Sequence, residues 1–396
     1  MWATEYCRDE ALRKYWDNYS YPYHKHGEGS KAYKSTVTNK VQKQVDARAY
    51  NQNQDSFAIE NIRRWYDYWR ERPGTGFRVS SGGVKIIFSD SNTHFRGVEN
   101  YRRSGATDAM RIPKDLFYAL QTMWDGWVDT ENPRIHIIGH WNYEENIIKP
   151  VHVVSSADSV ALFLNGKSLG ESIQEYHFLY TYNDVKFEAG KLEAVGYDQN
   201  GKECRTELQT AGKPERIQLN LMQSPAGWKA DGADVVMVQV EVVDKDGRRC
   251  PLANDLISFE MEGPAEWRGG IAQGENNYIL SQKLPVECGV NRVLIRSLTE
   301  AGKVHLKASA AGLQSAEINF TSLPIEVKNG LSKYIPSNEL QGRLTRGETP
   351  QTPSYTDKKV AVFIESVKAG TNNETATNSY DDNELSEWKN DGKAST

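Results

Sequence analysis

The sequence predicts a mostly β, multidomain chain that opens with a mixed α/β part and continues as β-sandwiches. Three observations carry this. Up to about residue 140, helical periodicity alternates with one short apolar strand. Beyond it, strands with apolar residues at every second position recur between turn signals. The tryptophans also thin out: seven of ten (Trp2, Trp16, Trp65, Trp69, Trp124, Trp127 and Trp141) precede residue 142.

The first part has the helix, strand, polar loop, helix rhythm of a β/α unit. Asp55 is expected to cap a helix with Ala58, Ile62, Trp65 and Trp69 on one face, and Pro73-Gly74 to stop it. After the turn Ser80-Ser81-Gly82-Gly83, the run Val84-Lys85-Ile86-Ile87-Phe88 reads as a short strand leading into Ser89-Asp90-Ser91-Asn92-Thr93-His94. Pro113 suits the first turn of a second helix, with Leu116, Leu120 and Met123 on a single face.

From residue 141 the signals become those of strands and hairpins. Val160-Ala161-Leu162-Phe163-Leu164 runs into Asn165-Gly166-Lys167, a strong hairpin signal. Lys191 to Tyr197, followed by Asp198-Gln199-Asn200-Gly201, is another. A second β block begins near Pro214, where Val236, Val238, Val240 and Val242 alternate with other residues before Asp244-Lys245-Asp246-Gly247. Val304, Leu306 and Ala308 alternate in the same way. Such spacing points to sandwiches of the immunoglobulin kind. Residues 328–356 lose the pattern, contain Pro336, Pro350 and Pro353, and read as a linker. Val360 to Ile364 would start one more strand.

Composition excludes some functions. The length of 396 residues fits roughly two to four domains of 100–200 residues. Lys plus Arg number 48 and Asp plus Glu 53, a net charge of −5. That balance argues against a general nucleic-acid binder, whose affinity rests on clustered cations that neutralise phosphates. No apolar run approaches the about 18 residues of a transmembrane helix. Met1 to Tyr6 has no basic n-region and no apolar h-region, so no signal peptide is expected, and both ends read as cut. Cys7, Cys204, Cys250 and Cys288 are too sparse for a disulfide scaffold and form no zinc motif. Cys250 and Cys288 fall in one β block and can pair in an oxidising compartment; the alternative is four buried or half-buried thiols.

Two segments can carry chemistry. Glu5, in Trp2-Ala3-Thr4-Glu5-Tyr6, follows a short apolar start, as a carboxylate at the C-terminal end of a barrel strand would. Arg8 is near enough in sequence to help keep it ionised. The alternative is an ordinary charge in a terminal segment. The second segment holds Asp90, Asn92, His94, Arg96, Glu99, Asn100, Tyr101, Arg102 and Arg103. It is rich in donors and acceptors, as a site reading sugar hydroxyls needs, or it is a solvated loop of internal ion pairs. His24-Lys25-His26 lacks a third ligand at recognisable spacing for a metal. Gly74-Thr75-Gly76 lacks the context of a nucleotide fingerprint.

At these residues the sequence resembles the C-terminal part of glycoside hydrolase family 2 enzymes, the β-galactosidase-like group common in Bacteroidetes. Trp2-Ala3-Thr4-Glu5-Tyr6 looks like the seventh barrel strand with the family's nucleophile, and Ser80 through His94 like the eighth. Arg103-Ser104-Gly105-Ala106-Thr107-Asp108 with Pro113-Lys114-Asp115 is similar to the segment before the last barrel helix. His140-Trp141-Asn142-Tyr143 and Val160 through Gly170 look like entry into an immunoglobulin-like domain, and Leu284 through Val293 like the next β domain. Asn378 through Asn383, with Trp388, looks like the opening of a discoidin-like carbohydrate-binding module.

The resemblance implies a C-terminal remnant of a (β/α)8 barrel over 1–140, immunoglobulin-like sandwiches over 141–212 and 213–327, a linker over 328–356, and the start of a discoidin-like module over 357–396. It implies retaining hydrolysis of an oligosaccharide or polysaccharide, with no metal, cofactor, nucleic-acid or membrane partner. Glu5 would be the nucleophile and Asp90, Asn92, His94 and Arg102 the substrate contacts, with Glu28 a second-choice carboxylate. Many members carry a Trp at the eighth strand, where this chain has Phe88 and Asp90. Retaining glycosidases pair two carboxyl groups about 5–5.5 Å apart. The family's acid/base, on the fourth barrel strand, would lie upstream of Met1, so this polypeptide is expected to be inactive alone. Relatives of this kind are usually periplasmic or secreted. The other function class is a non-catalytic sandwich array that spaces or binds carbohydrate.

Overall fold

Strands dominate, as the sequence predicts. The computed structural model describes residues 2–6, 10–11, 19, 51–52, 54–70, 82–85, 87–91, 104–273, 276–329, 331–332, 364–381 and 386–392. Strand β1 (Trp2–Tyr6) pairs in parallel with β4 (Gly82–Lys85). Between them, β2 (Glu10–Ala11) pairs in parallel with β3 (Asn51–Gln52). Two helices follow from the apolar periodicity: α1 (Gln54–Arg70) and α2 (Asp115–Val128). Asp55 lies inside α1, one residue past its start, rather than capping it. Gly82 and Gly83, which read as a turn, are in β4, because pairing with Trp2 and Ala3 outweighs their weak strand preference.

The first sandwich has two antiparallel sheets. One takes β5 (Ile135–Ile137), β6 (Ile148–Ser155), β9 (Ile173–Glu175) and β10 (Leu179–Lys186) in the order β5-β6-β10-β9. The other takes β7 (Ser159–Leu164), β8 (Lys167–Ser168), β11 (Lys191–Tyr197) and β12 (Glu203–Gln209) in the order β12-β11-β7-β8. Its opening strand thus begins at Ile135, upstream of residue 141. The Asn165-Gly166 turn has φ of 51° and 80°, the left-handed pair that a tight hairpin needs. Val151, Val153, Leu162, Leu164, Tyr182 and Leu192 fill the core with Trp141, whose Nε1 donates to the Glu188 carbonyl at 3.0 Å.

The outer face of the β6–β10 sheet is covered by the helix pair. Ala58, Ile62 and Trp65 of α1 and Ala119 and Met123 of α2 pack with Val154, Phe178 and Leu179. The apolar stripes of both helices are therefore spent on each other and on the sandwich.

The second sandwich takes β13 (Arg216–Met222), β14 (Val235–Val243), β16 (Ala265–Gln273), β17 (Asn276–Ile279) and β19 (Val290–Ser297) in the order β13-β14-β19-β16-β17. Its second sheet takes β15 (Leu256–Glu262), β18 (Lys283–Pro285), β20 (Lys303–Ser309) and β21 (Ala316–Thr321) in the order β18-β15-β20-β21. The four valines Val236, Val238, Val240 and Val242 all point into its core, as do Val304, Leu306 and Ala308. Cys250 and Cys288 are buried thiols not joined to each other, and Cys204 is a half-buried one. Where a linker is expected, Val327–Lys328 pairs with Leu331–Ser332. Near the C-terminus a 3-10 turn spans Asn373–Ser379, and Trp388 Nε1 donates to the carbonyls of Thr371 and Asn372. Among the described residues no helix is long and apolar enough to cross a membrane.

Replacing Leu306, fully buried between the sheets, by Ala is expected to cost about 2–5 kcal/mol in urea unfolding, from lost contacts and the cavity left behind. His152 on β6 yields a second prediction. Its Nδ1 lies 3.1 Å from Thr181 Oγ1. Burial, with the Lys149 and Arg63 cations nearby, lowers its pKa from 6.5 to about 4. Between these values the unfolded chain binds the extra proton, so stability falls as pH drops from 6.5 toward 4. The loss is on the order of 3 kcal/mol. Unfolding midpoints measured across this range are expected to drop, and His152→Gln is expected to flatten the slope.

Candidate active site

Parallel pairing puts the C-terminal ends of β1 and β4 at the same edge of their sheet. The register is Trp2 with Gly82, Ala3 with Gly83 and Tyr6 with Lys85. Glu5 is the next-to-last residue of β1, and residues 87–91 continue from the end of β4. Glu5 and the 87–91 stretch therefore lie toward the same end of the sheet, although 76 positions separate the end of β1 from the start of β4.

Past β4 the chain is held by a segment that returns to it. Ser89 bridges Thr107 in parallel, and Thr107 bridges Pro113 in the antiparallel sense. Asp90 N donates to Thr107 O at 3.0 Å, and Thr107 N to Phe88 O at 2.9 Å. Ser89 Oγ donates to Asp108 O at 2.9 Å. The turn 108–112 closes on itself: Ile112 N donates to Asp108 Oδ1 at 2.8 Å, and Arg111 N to Asp108 O at 3.0 Å.

Asp90 is at the centre of this arrangement. Its Oδ1 accepts from Lys114 Nζ at 2.9 Å and from Gly105 N at 2.8 Å. Both side chains are buried, Asp90 at 4% exposure and Lys114 at 0%. Burial pushes the Asp90 carboxyl up from its ordinary value, against the opposing pull of the Lys114 ammonium. A side chain at Gly105 would collide with the Asp90 backbone, so the approach of the two strands requires a glycine there. Asp90 thus ties the 87–91 stretch to Gly105 and Lys114.

The first sandwich supports the same helix from behind. Asp115, at the start of α2, lies 2.9 Å from His136 Nε2 through Oδ1 and accepts from Gly139 N at 3.1 Å through Oδ2. Tyr118 stacks on His136 with ring centroids 4.4 Å apart. Phe88 remains 58% exposed at the sheet edge, in edge contact with Phe117.

Asn92, His94 and Arg102 lie outside the described residues, as do Glu28, the His24-Lys25-His26 triplet, Cys7 and the remainder of 92–103. Among the described residues no three His, Cys, Asp or Glu side chains form a metal-binding group. Residue chemistry alone missed Lys114. A lysine one position past Pro113, at a helix start, reads as solvated; nothing in the sequence marks it as the buried partner of Asp90.

The comparisons fit this arrangement. The model of glycoside hydrolase family 2 C-terminal domain 5 matches residues 219–319, nearly all of the second sandwich. A β-glucuronidase of Formosa agariphila is 35% identical over 357 residues, covering 89% of this chain and 34% of that protein. This chain is a partial glycoside hydrolase family 2 region. The solved structure of a β-glucuronidase from the family, 34% identical, covers 90% of this chain and 35% of its own at a TM-score of 0.76. The β-galactosidase BoGH2A of Bacteroides ovatus is 32% identical over 225 residues, covering 55% of this chain and 25% of that protein. The first sandwich matches a domain of unknown function, DUF4982, over residues 146–205. This family 2 region spans about a quarter to a third of the length of these relatives.

The Asp90–Lys114 pair gives a test by denaturation. Lys114→Met removes the ammonium beside a buried carboxylate and is expected to destabilise the chain by about 3–5 kcal/mol. Removing both charges in Asp90→Asn/Lys114→Met is expected to recover part of that loss. Equal stability of the Lys114→Met variant and the parent in urea would refute the assignment.

Proposed function

We propose that this chain is the C-terminal part of a retaining family 2 β-glycosidase, with Glu5 as its nucleophile. The observation that carries the reading is the parallel pairing of β1 and β4, which sets Glu5 and the 87–91 segment at one sheet edge. In a (β/α)8 barrel that edge is where catalytic residues gather. The β1–β4 pair stands for the seventh and eighth barrel strands, and α2 for the last barrel helix. The two sandwiches, whose strands span 135–209 and 216–321, are read as immunoglobulin-like domains that follow the barrel.

In the retaining mechanism one carboxylate attacks the anomeric carbon and a second carboxyl group protonates the leaving oxygen; water then releases the sugar from the first. Glu5 takes the attacking role. The protonating group would belong to the fourth barrel strand, whereas the β1–β4 pair is read as the seventh and eighth. General acid catalysis is worth on the order of 10²–10⁴-fold. The isolated polypeptide is therefore expected to be nearly inactive. The substrate is a β-linked oligosaccharide or polysaccharide. The relatives carry the names β-glucuronidase and β-galactosidase, so both glycosides belong in the assay.

The test uses aryl β-glucuronide and aryl β-galactoside with the 396-residue chain, and with a longer polypeptide in which barrel strands of the Formosa relative precede it. Background hydrolysis by the first and turnover by the second is the expected result. Glu5→Gln in the longer polypeptide is expected to lower kcat by more than about 10³-fold. Full activity of that variant would exclude Glu5 as the nucleophile. Turnover by the 396-residue chain alone, at the rate of a whole relative, would overturn the expected inactivity.

A further inference from the structure

Strand β19 is buried on both faces. Val293 and Ile295 enter the core of the second sandwich. On the opposite face Val290 and Leu294 pack with Met110 and Ile112, which belong to the turn beside the candidate site. Between them on that face stands Arg292, only 7% exposed.

Arg292 Nη1 donates to Arg111 O at 2.7 Å and to Met110 O at 3.2 Å. Its Nε donates to Gln239 Oε1 at 3.0 Å. Gln239 is anchored in turn by Glu241, its Nε2 donating to Oε1 at 3.1 Å, and Glu241 lies 3.6 Å from Arg249 Nη1. Gln239 and Glu241 occupy the β14 positions between the core valines, so the polar half of that alternation faces the turn. A planar guanidinium with donors in a fixed fork suits this task, since it serves a side chain and two carbonyls at once.

The turn it grips is itself strained. Arg111 has φ of +64°, a left-handed conformation unusual for a residue other than glycine, asparagine or aspartate. Such conformations persist where the surroundings over-determine them. The Arg111 guanidinium lies 5.9 Å from the Phe88 ring centroid, and Asp108, three residues earlier, receives Ser89 Oγ. The path from Arg292 thus runs through the 110–111 carbonyls and the Asp108 turn to Ser89 and Asp90, all by direct contact.

We propose that Arg292 is a positioning residue: from the second sandwich it holds the 108–112 turn, and through that turn it sets the chain that follows β4 at the candidate site. The site role rests on the glycosidase reading, whereas the mechanical link does not. The second sandwich is then part of the frame of the site, beyond any service as a spacer.

Hydrogen exchange read by mass spectrometry on the whole 396-residue chain tests the link without any substrate. In Arg292→Met, exchange in peptides covering 87–91 and 104–114 is expected to rise by about tenfold or more, as charge-assisted bonds to the turn are lost. Peptides covering 235–243 and 256–262 are expected to keep their protection. Unchanged exchange in 104–114, or a rise shared equally by both sheets of the second sandwich, would overturn the proposal. Should Arg292→Met fail to fold, Gln239→Ala removes only the Nε partner. A smaller rise confined to 104–114 is then expected, and no rise there would count against the link. Hydrolysis assays leave this outcome untouched, so failure of the glycosidase reading and failure of the link are distinguishable.

Discussion

A buried carboxylate and a buried ammonium cannot be separated inside a protein without a cost of several kcal/mol for each. Asp90 and Lys114 meet that condition at 2.9 Å, and much of the surrounding structure is arranged around keeping them together. The chain leaves β4, reaches Asp90, and has to be met by Gly105 and then by the residue preceding α2. Ser89, Thr107 and Pro113 bridge in succession. The close approach leaves no room for a side chain at Gly105. The ion pair ties the start of α2 to the strand end at one buried point.

From there the constraint passes outward in two directions. Through Asp115 and His136 it reaches the first sandwich, whose β6–β10 sheet also supports both helices with an apolar face. Through Met110, Arg111 and Ile112 it reaches the second sandwich. Each sandwich has its own core, and each also gives up part of an outer face to the 104–128 region. Strands that would otherwise show one solvated face, as antiparallel sheets commonly do, are buried on both.

The two sandwiches were the most legible part of the chain. Val236 to Val242 and Val304 to Ala308 alternate because a strand shows successive side chains to opposite faces, and a single face of each was destined for the core. Asn165-Gly166 announced its hairpin because the turn needs left-handed backbone at both positions. Local chemistry misled where long-range pairing prevailed. Gly82-Gly83 reads as a turn, yet the parallel partner β1 recruits both glycines into a strand. Asp55 reads as a helix cap, yet α1 starts one residue before it.

The sequence by itself determined the strand-rich architecture, the helical faces of Ala58, Ile62 and Trp65 and of Leu116 and Met123, and the family to which the ordered motifs point. These are set by periods of two and about 3.6 residues and by turn chemistry, all of which act within a few positions of the chain. Tertiary structure alone decided that Asp90 would be neutralised by Lys114, 24 positions away, and that Arg292 would grip carbonyls 181 and 182 positions upstream. A charged residue looks the same in sequence whether it meets water or a buried partner. Only the folded chain settles which, since burial and pairing belong to the space around the side chain and not to its neighbours in sequence.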